Sequence, residues 1–255
     1  MIPHHRIDGE DGPLVVLASS LGTTLAMWDD LAADLAADHR VLRYDHRGHG
    51  ESVVPPGPCS MGQLSRDVLD LLDAVGEPSA SFCGLSLGGC VGQWLGANAP
   101  NRIDRLVLAC TSPTFGPPQG WRERAAAVRA SGTEAVADAV LARWFTPEFF
   151  DQRPDVIAGL RREFVSIPDE GYAGCCDALA DWEFDSELPR IAAPTLIVAG
   201  DRDPAAPPEV ARAMAEAVPD SRLVVLEHAA HLAPIEHPEA FTRELRTHLD
   251  QGGGR

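Results

Sequence analysis

The chain is expected to fold as one α/β unit. A mostly parallel central sheet would be flanked by helices, with a helical cap inserted late in the chain. Three observations predict this. Short apolar runs alternate with helical patterns along most of the 255 residues, and such alternation gives a parallel sheet with helices on both faces. The alternation lapses over residues 114–188, where only helical patterns occur, and then resumes. Hydrophobic residues make up 45% of the chain, enough for one full core, and α/β folds of roughly 250 residues commonly form one unit.

Residues 14–19 (LVVLAS) are a continuous apolar run, the pattern of a strand buried on both faces. Residues 25–37 then show helical periodicity. A second strand at 41–44 runs into the turn-rich stretch 45–52 (DHRGHGES). Ser60 can cap a helix in which Leu64, Val68, Leu71 and Leu72 share one face. Strands at 80–85 and 106–110 enclose a helix at 87–99, which Pro100 closes. The cap reads as helices at 121–130, 133–144, 155–164 and 172–180. Strand, helix, strand and helix follow at 195–199, 208–217, 222–227 and 238–249. The chain therefore divides into a first core part (1–113), a cap (114–188), a second core part (189–249) and a Gly-rich tail (250–255), expected to be disordered. In open α/β sheets the ligand crevice lies beyond the carboxyl ends of the strands, so the cap is expected to roof it.

The charge balance narrows the partners. There are 21 Lys and Arg against 38 Asp and Glu, a formal net charge of -17. Nucleic acids and anionic membrane surfaces bind through clustered basic residues, so neither partner is expected. No run approaches the ~20 apolar residues of a membrane span. Residues 1–10 are polar and lack the apolar stretch of a signal peptide. None of the six cysteines forms a C-x-x-C pair, and no Cys/His cluster has zinc spacing. Scattered cysteines in a chain this long suit a reducing compartment. The expectation is a cytoplasmic protein acting on a small molecule, without metal or cofactor. Oligomeric state is not readable.

The chemistry centres on residues 84–89 (GLSLGG), between a predicted strand and a predicted helix. A nucleophile elbow holds Ser on a sharp strained turn, so glycines must flank it. Ser86 is the nucleophile that this context defines. A Ser hydroxyl needs a general base oriented by a third group, and on elbow-bearing sheets the order is Ser, then Asp or Glu, then His. The strand at 195–199 runs into GDRDP, offering Asp201 and Asp203. Asp201 adjoins the strand end, where an Asp bonds local backbone; Asp203 reaches farther and is favoured. The last strand runs into HAAH, offering His228 and His231. The oxyanion donors would be the backbone N–H of Leu87 and one in the loop after the first strand, assigned to Leu21.

At these residues the chain resembles the α/β-hydrolase superfamily across almost its full length. Within it, the chain is most similar to the 3-oxoadipate enol-lactonases. Segments 19–29 (SSLGTTLAMWD), 41–54 (VLRYDHRGHGESVV), 82–94 (FCGLSLGGCVGQW), 139–147 (AVLARWFTP) and 171–179 (GYAGCCDAL) carry that match. The family pattern G-x-x-D falls on Gly200 and Asp203, and H-x-x-x-x-E-x-P falls on His231, Glu236 and Pro238. The resemblance thus implies a triad of Ser86, Asp203 and His231, and hydrolysis of 3-oxoadipate enol-lactone in aromatic-compound catabolism. Many superfamily members have His-Gly where this chain has Ser19-Ser20, whereas the lactonases share its Ser-Leu-Gly. A carboxylate on the substrate could meet Arg124 or Arg143 of the cap, with Trp144 lining the pocket. The rivals are a carboxylesterase, a C–C bond hydrolase or a cofactor-free perhydrolase of the same fold. A rival of another class is a non-catalytic ligand-binding protein on this scaffold.

Overall fold

The structure, a computed structural model, describes residues 1–251. Its first elements are β1 (His5–Asp8), β2 (Leu14–Ala18), α1 (Asp29–Leu35), β3 (Arg40–Tyr44), α2 (Met61–Val75), β4 (Ala80–Leu85), α3 (Leu87–Asn98) and β5 (Ile103–Ala109). Five helices follow: α4 (Pro118–Ser131), α5 (Ala137–Leu141), α6 (Pro147–Gln152), α7 (Pro154–Ser166) and α8 (Asp169–Ala180). The chain closes with β6 (Thr195–Gly200), α9 (Pro208–Ala217), β7 (Ser221–Leu226), α10 (Ala233–Glu236) and α11 (Pro238–Asp250).

The described residues form one seven-stranded sheet in the order β1-β3-β2-β4-β5-β6-β7. Every neighbouring pair is parallel except β1 with β3. The expected α/β-hydrolase architecture is therefore present: a mostly parallel sheet, flanked by helices, with a helical insertion between β5 and β6. Strands β2 and β6 are buried along their whole length, and β4 at every residue but the half-buried Ser81, which explains their apolar runs. Burying one such Leu or Val side chain contributes about 1.5–3 kcal/mol.

Local chemistry sets the helix ends. Ser60 caps α2 in a reciprocal box with Gln63, and Gly76 ends the helix at φ 78°. Trp28 and Phe241, both fully buried, meet with ring centroids 6.3 Å apart and tie the start of α1 to α11.

Several elements differ from expectation. β1 reads as polar because it is an edge strand, with Arg6 and Ile7 exposed and His5 and Asp8 half-buried. The helix expected at 25–37 begins as a 3-10 turn, Leu25–Trp28, before α1. The helix expected at 133–144 divides into a 3-10 turn, Thr133–Ala135, and the short α5. α6 is too short to carry a helical period of its own. The tail expected to be disordered, 250–255, begins inside α11, and residues 252–255 lie outside the described residues.

Candidate active site

The site is assembled at the carboxyl ends of β2, β4, β6 and β7. At the end of β4, Ser86 adopts φ 57° and ψ -110°, a conformation that L-residues rarely take. Hydrogen bonds hold it there: the Ser86 N–H donates to Ala109 O at 2.9 Å, and Thr111 Oγ1 donates to Ser86 O at 2.8 Å. The flanking glycines are required by contact. A Cβ on Gly84 would lie 2.1 Å from Gly88 O, and one on Gly88 would lie 2.3 Å from Ala18 O. The elbow thus packs backbone on backbone, and its Ser emerges at the positive end of α3.

The later strands deliver two partners. His231 Nε2 stands 2.9 Å from Ser86 Oγ, and His231 Nδ1 stands 2.8 Å from Asp203 Oδ2. All three residues are buried, yet Ser86 and His231 border a cleft of about 330 Å³. Burial opposes the Asp203 carboxylate, but His231 and the N–H groups of Ala205 and Ala206 outweigh it and hold its pKa below the ordinary value. Such a chain can withdraw the Ser proton onto the imidazole while the carboxylate fixes the tautomer.

The alternatives have other work. Asp201 Oδ1 accepts the Ala229 N–H at 3.2 Å, which shapes the loop before His231. His228 is exposed, at φ 58°, with its Nδ1 2.7 Å from Arg202 Nη2.

Leu21 lies in the turn after β2 and borders the cleft beside Ser20. Neither the Leu21 N–H nor the Leu87 N–H donates to another described residue. The next amide, Gly22, is taken: its N–H donates to His49 Nε2 at 3.2 Å. His46 Nε2 donates to Ser19 O at 2.9 Å, so both histidines of the DHRGHGES stretch grip this turn. Burial lowers both, and His49 falls to about 4, so each is a neutral imidazole at neutral pH. The sequence carries no local sign of this support, because the residues it joins are 27 positions apart.

The inserted helices supply the opposite wall. Trp144 is buried, borders the cleft, and meets Phe164 at 5.7 Å between centroids. Arg143 and Arg124 both border the cleft, and neither makes an ion pair among the described residues. Among the described residues, no acidic side chain borders it. Tyr172, on α8, also borders it, and the matched segment 171–179 gives it no role.

Glu236, which the family pattern marks without giving it a role, joins the two walls. Glu236 Oε1 accepts the Thr146 N–H at 2.9 Å and the Thr146 hydroxyl, while its Oε2 accepts the Ala230 N–H at 2.7 Å. Leu232 N–H donates to Trp144 O at 2.9 Å. The loop bearing His231 is therefore bonded on both sides to the segment bearing Arg143 and Trp144.

A strand–elbow–helix Ser, with an Asp-oriented His beside it, defines a hydrolase of the α/β type. The chain belongs to the alpha/beta hydrolase fold family, which it matches over residues 13–238. It is 39% identical to 3-oxoadipate enol-lactonase 2 of Acinetobacter baylyi, covering 92% of this chain and 88% of that protein. A protein of Pseudomonas savastanoi pv. phaseolicola, provisionally named carbamate hydrolase RutD, is 31% identical over 96% of this chain and 97% of its own. The crystal structure of the enol-lactonase from Burkholderia xenovorans LB400 superposes with a TM-score of 0.94 and 43% identity, covering 96% of this chain and 95% of that one. Among the described residues, no group of three or more His, Cys, Asp or Glu could hold a metal ion, and no helix is long and apolar enough to cross a membrane.

Proposed function

We propose that this protein hydrolyses 3-oxoadipate enol-lactone to 3-oxoadipate, in the breakdown of aromatic compounds. The observation that carries the reading is the lining of the cleft. Beside Ser86 and His231 stand two arginines and, among the described residues, neither acidic partners for them nor a carboxylate, in a chain of net charge -17. An acidic protein that keeps its cleft cationic is built for an anionic ligand at short range. The lactone is such a ligand, and the likeness to two enol-lactonases points the same way.

Ser86 Oγ attacks the lactone carbonyl as His231 takes its proton. The carbonyl oxygen becomes an oxyanion facing the N–H groups of Leu21 and Leu87. Collapse breaks the ring C–O bond and leaves an acyl-enzyme. The departing enolate takes a proton, delivered through His231, and becomes a ketone. His231 then activates water, which adds to the acyl carbon, and Ser86 recovers its proton as the acid leaves. Asp203 stabilises the imidazolium at both stages.

The test is a panel of kcat/KM values for the enol-lactone, its neutral methyl ester, simple aryl esters, saturated lactones and a small carbamate. The enol-lactone acid should lead, and its advantage over the methyl ester should persist at high salt, because a partly buried pair is screened little. Leading turnover of the carbamate would replace the proposal with the reading that the RutD likeness favours. Equal rates for acid and ester would remove it in favour of a general esterase.

A further inference from the structure

We propose that Tyr172 and Arg124 together form the subsite that receives the substrate's free carboxylate. The phenol would donate one hydrogen bond and the guanidinium would supply the charge. The identity of that substrate rests on the enol-lactone reading; the subsite itself is testable without it.

Tyr172 is fully buried, and its hydroxyl has no hydrogen-bond partner among the described residues. A buried hydroxyl left without a partner costs about 1–3 kcal/mol, and native structures retain few of them. The ring cannot turn away to find a partner. It packs edge-on against Phe164 with centroids 5.2 Å apart, and a Cβ on Gly22 would lie 3.3 Å from its Cε2. The phenol is thus wedged beside the turn that carries Leu21, on the border of the cleft. Burial pushes its pKa above the ordinary value, only partly offset by the Arg124 guanidinium, whose charge and N–H groups both lie close to the phenol, so it is a protonated donor at neutral pH.

Arg124 differs from its neighbours on α4. Arg122 pairs with Asp181 at 2.8 Å, and Arg129 pairs with Glu170 at 2.8 Å and Asp177 at 2.7 Å, which ties α4 to α8. Arg124 takes part in neither tie. Its guanidinium lies 4.6 Å from the centroid of the Trp121 ring, half-buried and bordering the cleft. A cation held on an aromatic face keeps its donors available, and a carboxylate accepts strongly from both a phenol and a guanidinium. Arg143 is a weaker candidate. It is exposed, and its nearest polar contact is Pro204 O at 3.5 Å.

The experiment compares 4-nitrophenyl hydrogen glutarate with its methyl ester, in wild type, Tyr172→Phe, Arg124→Gln, Arg124→Lys and Arg143→Gln. The quantity read is the acid-to-ester ratio of kcat/KM. A donor bond to a charged group is worth about 1.5–3 kcal/mol, so the ratio should fall roughly tenfold or more in Tyr172→Phe and in Arg124→Gln. Arg124→Lys should recover part of it, and Arg143→Gln should move it less. Because the hydroxyl has no partner to lose, Tyr172→Phe should melt no lower than wild type. An unchanged ratio in Tyr172→Phe and Arg124→Gln, or no acid preference in wild type, overturns the subsite. So does a Tyr172→Phe variant that melts well below wild type, since its hydroxyl would then be a structural group. If the ratio collapses as stated but the enol-lactone is not turned over, the subsite stands and the substrate assignment falls.

Discussion

The Gly22 N–H donates to His49 Nε2 at 3.2 Å, and His49 Nδ1 is 3.3 Å from Arg47 O. One imidazole therefore accepts from the turn after β2 and donates to its own loop, which only the neutral tautomer protonated on Nδ1 can do. Protonation would turn an acceptor into a donor facing a donor, next to the amide of Leu21.

This gives a stability prediction with a definite sign. Burial lowers His49 from 6.5 to about 4 in the folded protein. Between those values the unfolded chain binds more protons, so stability is full above the ordinary value and falls as pH drops towards about 4. From this group alone, unfolding free energy should decline by about 2 kcal/mol between pH 7 and pH 5. His49→Gln, which still offers an acceptor, should show a shallower decline in denaturant titrations at the two pH values. Equal slopes would remove His49 from the account. His248, also lowered to about 4 by burial, supplies a matching decline that the variant keeps.

Ser86→Ala should lose hydrolysis by up to about 10⁶-fold, as expected when a triad nucleophile is removed. Ser86→Gly should be equally inactive yet more stable by about 1 kcal/mol, because Gly adopts a positive φ without strain. Thermal melting of both variants checks this. A less stable Gly variant would mean that the turn stores no strain.

Asp203→Asn should reduce kcat by about 10⁴-fold, because an amide favours the wrong tautomer of His231. Asp201→Asn removes only part of one bond to the Ala229 amide and should cost far less. If the two folded variants rank the other way, Asp201 is the acid.

Much of this was legible in the sequence for a physical reason. Strands β2 and β6 are buried throughout and β4 all but Ser81, and the elbow needs glycines within a few positions of its Ser, so both leave dense local patterns. β1 left none, being short, polar and at an edge. His49 leaves no functional signal because it grips a turn distant in sequence, and the matched patterns that contain Tyr172 and Glu236 give neither a role. Thr146 and Glu236 are 90 positions apart, and a lone Glu in the loop before the last expected helix shows nothing of such a partner. Ala230 lies only six positions from Glu236, but nothing short of the fold shows that its amide points at the carboxylate.

Glu236→Gln provides a fourth prediction. A carboxylate accepts on both oxygens, whereas an amide must turn its NH₂ towards one set of donors. The variant should lose about 1–3 kcal/mol of stability. Its kcat/KM should fall roughly 10²-fold, as small misplacements of a positioned base do. Thr146→Val removes the hydroxyl bond to Glu236, and with it the cap on the Phe149 N–H of α6, but keeps the bond from its own N–H, so its kcat/KM should sit between the variant and wild type. A Gln variant with wild-type turnover would show that the bonds do not position His231.

The double bonding of residues 144 and 146 to the His231 loop constrains how this scaffold can diversify. The segment that shapes the ligand wall is the one that braces the imidazole, so replacing it to admit a different ester also perturbs proton transfer. Changes confined to α4 and α8 escape that penalty. New specificities, selected in the laboratory or in nature, should therefore accumulate first around Arg124 and Tyr172, with residues 143–146 and Glu236 changing together or not at all.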